Sequence, residues 1–102
     1  MATYIALLQF TEQGIRNVRE THRRADAFRA MAKQAGVAVR DVYWTLGAFD
    51  GLLVLDAPDD AAATAVLLAL AAQGNVRTQT LRAFGEADID AVLAKAPPGG
   101  KK

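Results

Sequence analysis

Three charged residues near the ends of predicted strands have side chains suited to substrate chemistry, namely Asp50, Arg77 and Arg82. A carboxylate held close to a guanidinium can orient a substrate or a proton donor. The same residues also have a structural interpretation, in which an ion pair anchors the glycine-flanked turn over residues 47–51. Asp50 alone would satisfy backbone N–H groups of that turn, as turn aspartates commonly do. We favour the structural role, and keep Asp50 and Arg82 as candidates for catalysis.

His22 is the only histidine of the chain and the third catalytic candidate. An imidazole titrates close to neutral pH, which suits proton transfer. His22 nevertheless falls in a helical stripe beside Val18 and Ala25, where a single histidine more often packs. With one histidine and no cysteine, the sequence predicts no metal site. It has no phosphate loop, catalytic triad or nucleophile motif, so no cofactor is predicted either.

A second group of polar residues suits the binding of a small molecule. A ligand pocket is mostly apolar and carries a few placed polar groups. Trp44 and Phe10 would supply apolar walls of a pocket between two sheets. The alternative is that these are ordinary strand threonines and interface aromatics. The polar residues assigned to the pocket are Gln9, Thr45, Thr78 and Thr80, with Arg77 as a possible anion partner.

Charge and hydropathy exclude several classes of partner. The 102 residues include 12 Lys and Arg against 11 Asp and Glu, so no strongly basic surface is expected. The first predicted helix is rich in arginine, but Glu12, Glu20 and Asp26 are interspersed, which indicates a solvated face with local ion pairs. No apolar run reaches the roughly 20 residues of a membrane span, and the N-terminus lacks a signal-peptide pattern. The sequence therefore predicts no nucleic-acid or membrane partner, and a cytoplasmic location.

Apolar spacing divides the chain into strands and helices in the order βαββαβα. Strands are predicted over residues 3–10, 37–46, 52–55 and 75–84. Apolar residues from Ile15 to Ala35 recur at helical spacing, with a possible break near Thr21, and two further helices begin after Asp59 and at Glu86. The order indicates an α+β fold with a four-stranded antiparallel sheet, helices on one face, and the first and third strands central. We assign residues 1–96 to one domain and residues 97–102 to a flexible tail.

The two central strands predict a partner subunit. An antiparallel sheet with one face in water should alternate apolar and polar residues. Here Ile5 and Leu7 point one way while Tyr4, Ala6, Leu8 and Phe10 point the other, and the third strand is apolar on both sides at residues 52–55. Helices cover only one face, and a contiguous apolar patch usually marks an interface. We expect a homodimer or higher homo-oligomer related by a two-fold axis. The alternative is that the last helix and tail fold across that face.

Three segments resemble the GYD-domain family. They are residues 43–50 (YWTLGAFD), residues 74–84 (GNVRTQTLRAF), and the opening from Tyr4 through residues 13–17 (QGIRN). Gly47 is followed by Ala48 and Phe49-Asp50, so phenylalanine stands where the family name has tyrosine. The resemblance covers roughly residues 3–95. It implies a ferredoxin-like domain whose sheet face pairs in a dimeric α+β barrel, and it implies little about activity.

These observations give three functional hypotheses. The first is a homo-oligomeric module that binds a small apolar or aromatic molecule between sheets. The second is a small cofactor-free enzyme of the isomerase or oxygenase type, with Asp50 or His22 handling protons and Arg82 or Arg77 holding an anion. The third is a purely structural assembly protein, since the sequence has no known catalytic motif.

Overall fold

The structure, a computed structural model, describes residues 1–98; the last four residues of the predicted tail, 99–102, lie outside the described part. The strands are β1 (Ala2–Phe10), β2 (Ala38–Trp44), β3 (Gly51–Ala57) and β4 (Val76–Ala83). The helices are α1 (Glu12–Arg16), α2 (Thr21–Gln34), α3 (Asp60–Ala72) and α4 (Glu86–Lys95), with a 3-10 turn over Val18–Glu20.

The four strands form one antiparallel sheet in the order β2-β3-β1-β4, which confirms the predicted ferredoxin-like α+β fold. β1 and β3 are central, as expected from their apolar composition. Tyr4 lies opposite Leu55 on β3 and opposite Arg82 on β4, so these three side chains share one side of the sheet. The adjacent pair Ile5 and Val54 lies on the other side, because side chains alternate along a strand.

The predicted break in the first helical region is confirmed. α1 ends at Arg16, and a 3-10 turn separates it from α2, which begins at Thr21. The turn resets the helical phase, so the single apolar stripe predicted from residue 15 to residue 35 is only partly correct. Phe28 and Ala32 are buried in the core, whereas Ile15, Val18 and His22 are exposed.

The other helix boundaries follow from local chemistry. The Asp59 carboxylate accepts a hydrogen bond from the Ala62 N–H at 2.8 Å, so it is the predicted N-cap of α3. α3 ends before Gly74, which has a φ of 85°, a conformation that glycine adopts without strain. Ala63, Val66 and Leu67 form the buried side of α3, as the sequence predicts.

The core lies between the sheet and the layer formed by α2 and α3. It contains the inward side chains of both central strands, including Leu53 and Leu55, packed against Phe28, Val66 and Leu67. The opposite side of the sheet has no covering layer among the described residues, and we call it the open face. α4 does not fill this role, because it is exposed along its whole length.

Candidate functional site

An apolar cleft opens at the end of the core where α2 meets the sheet, and we call it the helix-side cleft. Its cavity volume is about 60 Å³. Leu8, Phe28, Val42 and Leu53 form its apolar interior, and polar side chains surround the opening. These polar residues are Thr21, Arg24, Asp50, Gln73 and Asn75.

Trp44 forms one wall of the helix-side cleft and is fixed to α2. Its indole N–H donates to the Thr21 hydroxyl at 2.9 Å. The His22 ring meets the indole edge-on, with ring centroids 6.1 Å apart. This contact joins the end of β2 to the first residue of α2, so the helix break that places Thr21 also places the tryptophan.

Arg24 ties the first helical region together beside the helix-side cleft. Its Nη1 donates to the Asn17 carbonyl at 2.8 Å, and its Nη2 to the Gly14 carbonyl at 3.4 Å. Arginine donors held by carbonyl oxygens satisfy the orphan acceptors at the end of a helix. Arg24 therefore serves α1 and the turn that follows it, and it is also one of the residues that line the cleft.

The turn over residues 45–50 is held by hydrogen bonds of its own. The Thr45 N–H donates to the Asp50 carbonyl at 3.0 Å, and the Thr45 hydroxyl to the Phe49 carbonyl at 2.6 Å. Gly47 has a φ of 116°, which a side chain would strain. The turn thus presents Leu46, with 102% exposure, from a fixed backbone.

Asp50 fastens this turn to β1. Its carboxylate accepts from the Phe10 N–H at 2.9 Å, and its own N–H donates to the Leu8 carbonyl at 2.8 Å. Gln9 makes a third connection, with its side-chain amide donating to the Ala48 carbonyl at 3.1 Å. Asp50 therefore continues the β1–β3 pairing by one residue, through its side chain as well as its backbone.

The open face carries an apolar surface to which all four strands contribute. Ile5, Leu7, Leu52 and Val54 are half-buried at its centre, and the edge residues Tyr43 and Leu81 are 56% and 46% exposed. At the end near the 45–50 turn it contains a depression of about 200 Å³. The depression is lined by Leu7, Thr45, Leu46, Ala48, Phe49, Gly51 and Leu52.

A third cluster joins β1, β4 and the start of α3. The buried Tyr4 donates its hydroxyl to the Asp60 carboxylate. The Arg82 guanidinium lies 5.5 Å from the centroid of the Tyr4 ring and 4.4 Å from that of Phe84. Its Nη1 also donates to the Thr3 carbonyl at 3.3 Å. The hydrogen bond to Asp60, assisted by desolvation, raises the pKa of the Tyr4 hydroxyl above its ordinary value of 10.0.

The free energy of unfolding of Tyr4→Phe is expected to fall less at alkaline pH than that of the wild-type protein. Because the folded-state pKa of Tyr4 is raised, the hydroxyl contributes its full stabilisation below about pH 10 and loses it as pH rises through the raised pKa. The stability gap between wild type and Tyr4→Phe should therefore narrow above about pH 10. Urea unfolding at several pH values measures it, and Tyr43→Phe, on the exposed edge of the open face, is the control. A gap that stays constant with pH would contradict the assignment.

The family comparison agrees with this geometry. The model of the family described as the GYD domain matches residues 4–93. The chain belongs to the GYD-domain family. The match includes the 45–50 turn with its Gly47, the helix-side cleft and the open face, and it confirms the resemblance found in the sequence.

Two relatives carry more specific information. A curated Thermus thermophilus protein named "glutamine synthetase and cystathionine beta-lyase binding protein" is 34% identical over 94 residues, which span 91% of this GYD-domain chain and 99% of the relative. The crystal structure of TTHA0845 from Thermus thermophilus aligns with a TM-score of 0.55 and 22% identity, over 83% of this chain and 95% of the other. The structural likeness supports the fold.

The catalytic candidates of this GYD-domain protein do not share one site. Asp50 is engaged by the Phe10 N–H, and His22 is an exposed residue whose Nε2 lies 4.0 Å from the Asp26 carboxylate. Arg82 belongs to the cluster of Tyr4 and Asp60. Over residues 1–98, neither Arg82 nor Arg77 forms an ion pair with Asp50.

The predicted ligand-binding residues are divided between the two sides of the sheet. Gln9 and Arg77 are paired across β1 and β4 and belong to the open face. Trp44, Thr78 and Thr80 lie on the helix side, where Thr78 is half-buried and Thr80 exposed. Thr45 belongs to the turn and lines the open-face depression. Trp44 and the predicted wall Phe10 do line one cavity, the helix-side cleft.

Sequence reasoning missed Arg24 and the pair of Tyr4 and Asp60. Arg24 had a signal, since it lies one turn after Thr21 and one turn before Phe28, which places all three on one side of α2. The Tyr4–Asp60 contact joins residues 56 positions apart and had no local signal. No group of metal-binding side chains occurs within the described residues. Over the same residues, no helix is long and apolar enough to span a membrane.

Proposed function

We propose that this GYD-domain protein is a homo-oligomeric binding protein that attaches to partner enzymes and carries out no reaction of its own. The observation that supports it is the open face, where apolar residues of all four strands lie without a covering layer over the described part of the chain. Each large aliphatic side chain left in water forgoes about 1.5–3 kcal/mol of burial free energy. The same face of a second copy is the economical cover, because a two-fold axis presents identical apolar patches to each other.

The partner enzymes are proposed from the relative's name. That protein is named for binding glutamine synthetase and cystathionine β-lyase. We propose that this chain binds the corresponding enzymes of its own host. The separation of Asp50, His22 and Arg82 favours this role over catalysis, because general acid–base chemistry needs its groups within hydrogen-bond reach of one substrate.

Leu46 is the residue we assign to the enzyme contact. It is a fully exposed leucine on a turn whose backbone is fixed by Thr45, Asp50 and Gln9. An apolar side chain on a fixed backbone loses only its own rotamer freedom on binding, which favours affinity. An anchor of this kind commonly contributes about 2 kcal/mol or more to an interface.

Leu46→Asp is therefore expected to weaken binding to the partner enzyme by about thirtyfold, since 1.4 kcal/mol corresponds to about tenfold. Biolayer interferometry with purified glutamine synthetase and cystathionine β-lyase measures the affinity, and sedimentation velocity checks that the oligomer is retained. Leu68→Asp, at an exposed leucine on the outer side of α3, is the matched control. Equal losses of affinity in Leu46→Asp and Leu68→Asp would show that Leu46 is not the residue of the enzyme contact. Failure of either enzyme to bind wild-type protein at about 100 μM would reject the partner proposal.

A second candidate function is the binding of a small apolar or aromatic molecule between sheets. The observation that favours it is the open-face depression of about 200 Å³ beside Leu7 and Phe49. Once a second copy covers this open depression, its volume would exceed that of an enclosed engineered cavity of about 150 Å³ that binds benzene. The helix-side cleft, at about 60 Å³, is too small for such a ligand without movement.

Native mass spectrometry of protein purified from its own host tests this candidate. A bound molecule should appear as a constant mass increment on the oligomer and disappear in Ala48→Trp, whose indole would fill the depression. Ala87→Trp, on exposed α4, is the control. An oligomer with the bare polypeptide mass would reject this function and leave the enzyme-binding role unaffected.

A further inference from the structure

α4 presents an apolar side that is largely exposed over the described residues. Ile89, Val92 and Leu93 are 41%, 40% and 63% exposed, and their spacing puts them on one side of the helix together with Ala96. None of the closely packed element pairs over residues 1–98 includes α4. A ten-residue helix is marginal in water by itself, because isolated helices need roughly 12–15 residues to hold their structure. α4 therefore needs a packing partner to keep the conformation described.

The shape of the chain indicates that this partner lies outside it. The radius of gyration is 15.9 Å and the longest dimension is 55 Å. A compact domain of this length has a radius of gyration near 13 Å. A helix of ten residues is about 15 Å long. A helix of that length, extending from the body after β4, would add to the longest dimension.

The flat area of the open face is smaller than the surface that a specific interface commonly buries on each partner. Four strands about 4.8 Å apart and about seven residues long, at about 3.4 Å per residue, cover roughly 450 Å². Specific interfaces bury about 800 Å² on each partner. Each α4 adds a surface roughly 15 Å long and 10 Å wide, which moves the interface toward that size.

Charges on α4 and on β4 are complementary. Glu86 and Asp90 lie three residues before Ile89 and Leu93, beside the apolar side of α4, and Arg77 lies on the open-face side of β4 at the edge of the sheet. None of the three has an ion-pair partner in the described part of the chain. Leu81 lies four residues beyond Arg77 on the same side of β4, so this edge offers an apolar and a cationic contact together.

We propose that α4 of one chain packs along the β4 edge of the open face of a second copy. Ile89, Val92 and Leu93 then cover Leu81 of the other copy, with the α4 carboxylates facing its Arg77. Since the arrangement is symmetric, each copy gives one helix and receives one. This inference rests on the homo-oligomer proposed above, and it specifies which segment closes the interface.

Disulfide cross-linking tests the contact directly, because the chain has no cysteine of its own. One chain carries Val92→Cys, and a second chain with a larger tag carries Leu81→Cys. On mild oxidation of the mixed protein, the heterodimer of these two chains should form and dominate. The control replaces Leu81→Cys with Leu68→Cys on the outer side of α3, and little heterodimer is expected. Equal linking to both positions, or mainly Val92–Val92 homodimers, would overturn the proposal.

A dissociation measurement separates this inference from the homo-oligomer itself. Leu93→Asp should raise the dimer dissociation constant roughly 700-fold, because the symmetric dimer loses an apolar anchor of about 2 kcal/mol at each of its two α4 contacts. Ala91→Asp, on the opposite side of α4, should change it less than about threefold. If Leu93→Asp dimerises as tightly as wild type, the role of α4 is wrong and the homo-oligomer stands. If wild-type protein sediments as single chains at micromolar concentration, both proposals fail.

Discussion

Leu7→Asp is expected to convert the homo-oligomer to single, folded chains. Leu7 lies at the centre of the open face, between Leu52 on β3 and Gln79 on β4. An unpaired charge buried at an interface costs about 3–5 kcal/mol, which corresponds to at least a hundredfold rise in the dissociation constant. The single chain tolerates the change better, because Leu7 is only half-buried there and the carboxylate remains in contact with water.

Thr80→Asp is the matched control for this prediction. It adds the same charge to a strand of the same sheet, but on the helix side and at an exposed position. Sedimentation velocity at several concentrations gives the oligomeric state, and far-ultraviolet circular dichroism shows whether each variant is folded. A Leu7→Asp protein that keeps the wild-type mass at micromolar concentration would contradict the use of the open face as the interface.

The sheet was predictable because alternation along a strand is a local property. Ile5 and Leu7 against Tyr4 and Ala6 indicate a central strand, and the structure places β1 between β3 and β4. A break near Thr21 was also predicted, but Glu20 and not Thr21 is the N-cap of α2, and no side chain makes a capping hydrogen bond there. The exposure of Ile15 and Val18 was not predicted, because the 3-10 turn changes the helical phase by an amount that apolar spacing does not encode.

The sequence predicted several residues that line a cavity, but not the side of the sheet on which each of them lies. Alternation separates Gln9 from Phe10, since neighbours on a strand point to opposite sides, yet both were assigned to one pocket. Trp44 and Phe10 do line the same cavity, but it lies under α2, on the side that the helices cover. Which side the helices cover depends on packing between distant elements. The hydrogen bond that the Asp50 carboxylate accepts from the Phe10 N–H also depends on such packing, because the two residues are 40 positions apart.

The second large effect, a loss of stability, is expected at Gly14, whose backbone makes a close contact. Gly14 is buried where α1 meets the loop before β4, and its N–H donates to the Thr11 hydroxyl at 3.0 Å. The same hydroxyl donates to the Gly74 carbonyl at 2.5 Å, and the Thr11 N–H donates to the Asn75 carbonyl at 3.1 Å. A Cβ on residue 14 would lie 1.9 Å from that Asn75 carbonyl oxygen. This distance is far inside van der Waals contact, so the backbone of the loop must move.

Gly14→Ala should therefore destabilise the protein by about 3 kcal/mol, at the upper end of the cost of overpacking. For a domain of this size the thermal midpoint falls by roughly 10–20 °C. Gly85→Ala is the control, because its added Cβ meets only the Asp88 carboxylate at 3.7 Å, and its cost should stay below about 1 kcal/mol. Asn75 also lines the helix-side cleft, so the emission of Trp44, the single tryptophan, should change in Gly14→Ala alone. Equal thermal midpoints in Gly14→Ala and Gly85→Ala would contradict the prediction, because they would show that the loop before β4 moves away from α1 with no loss of stability.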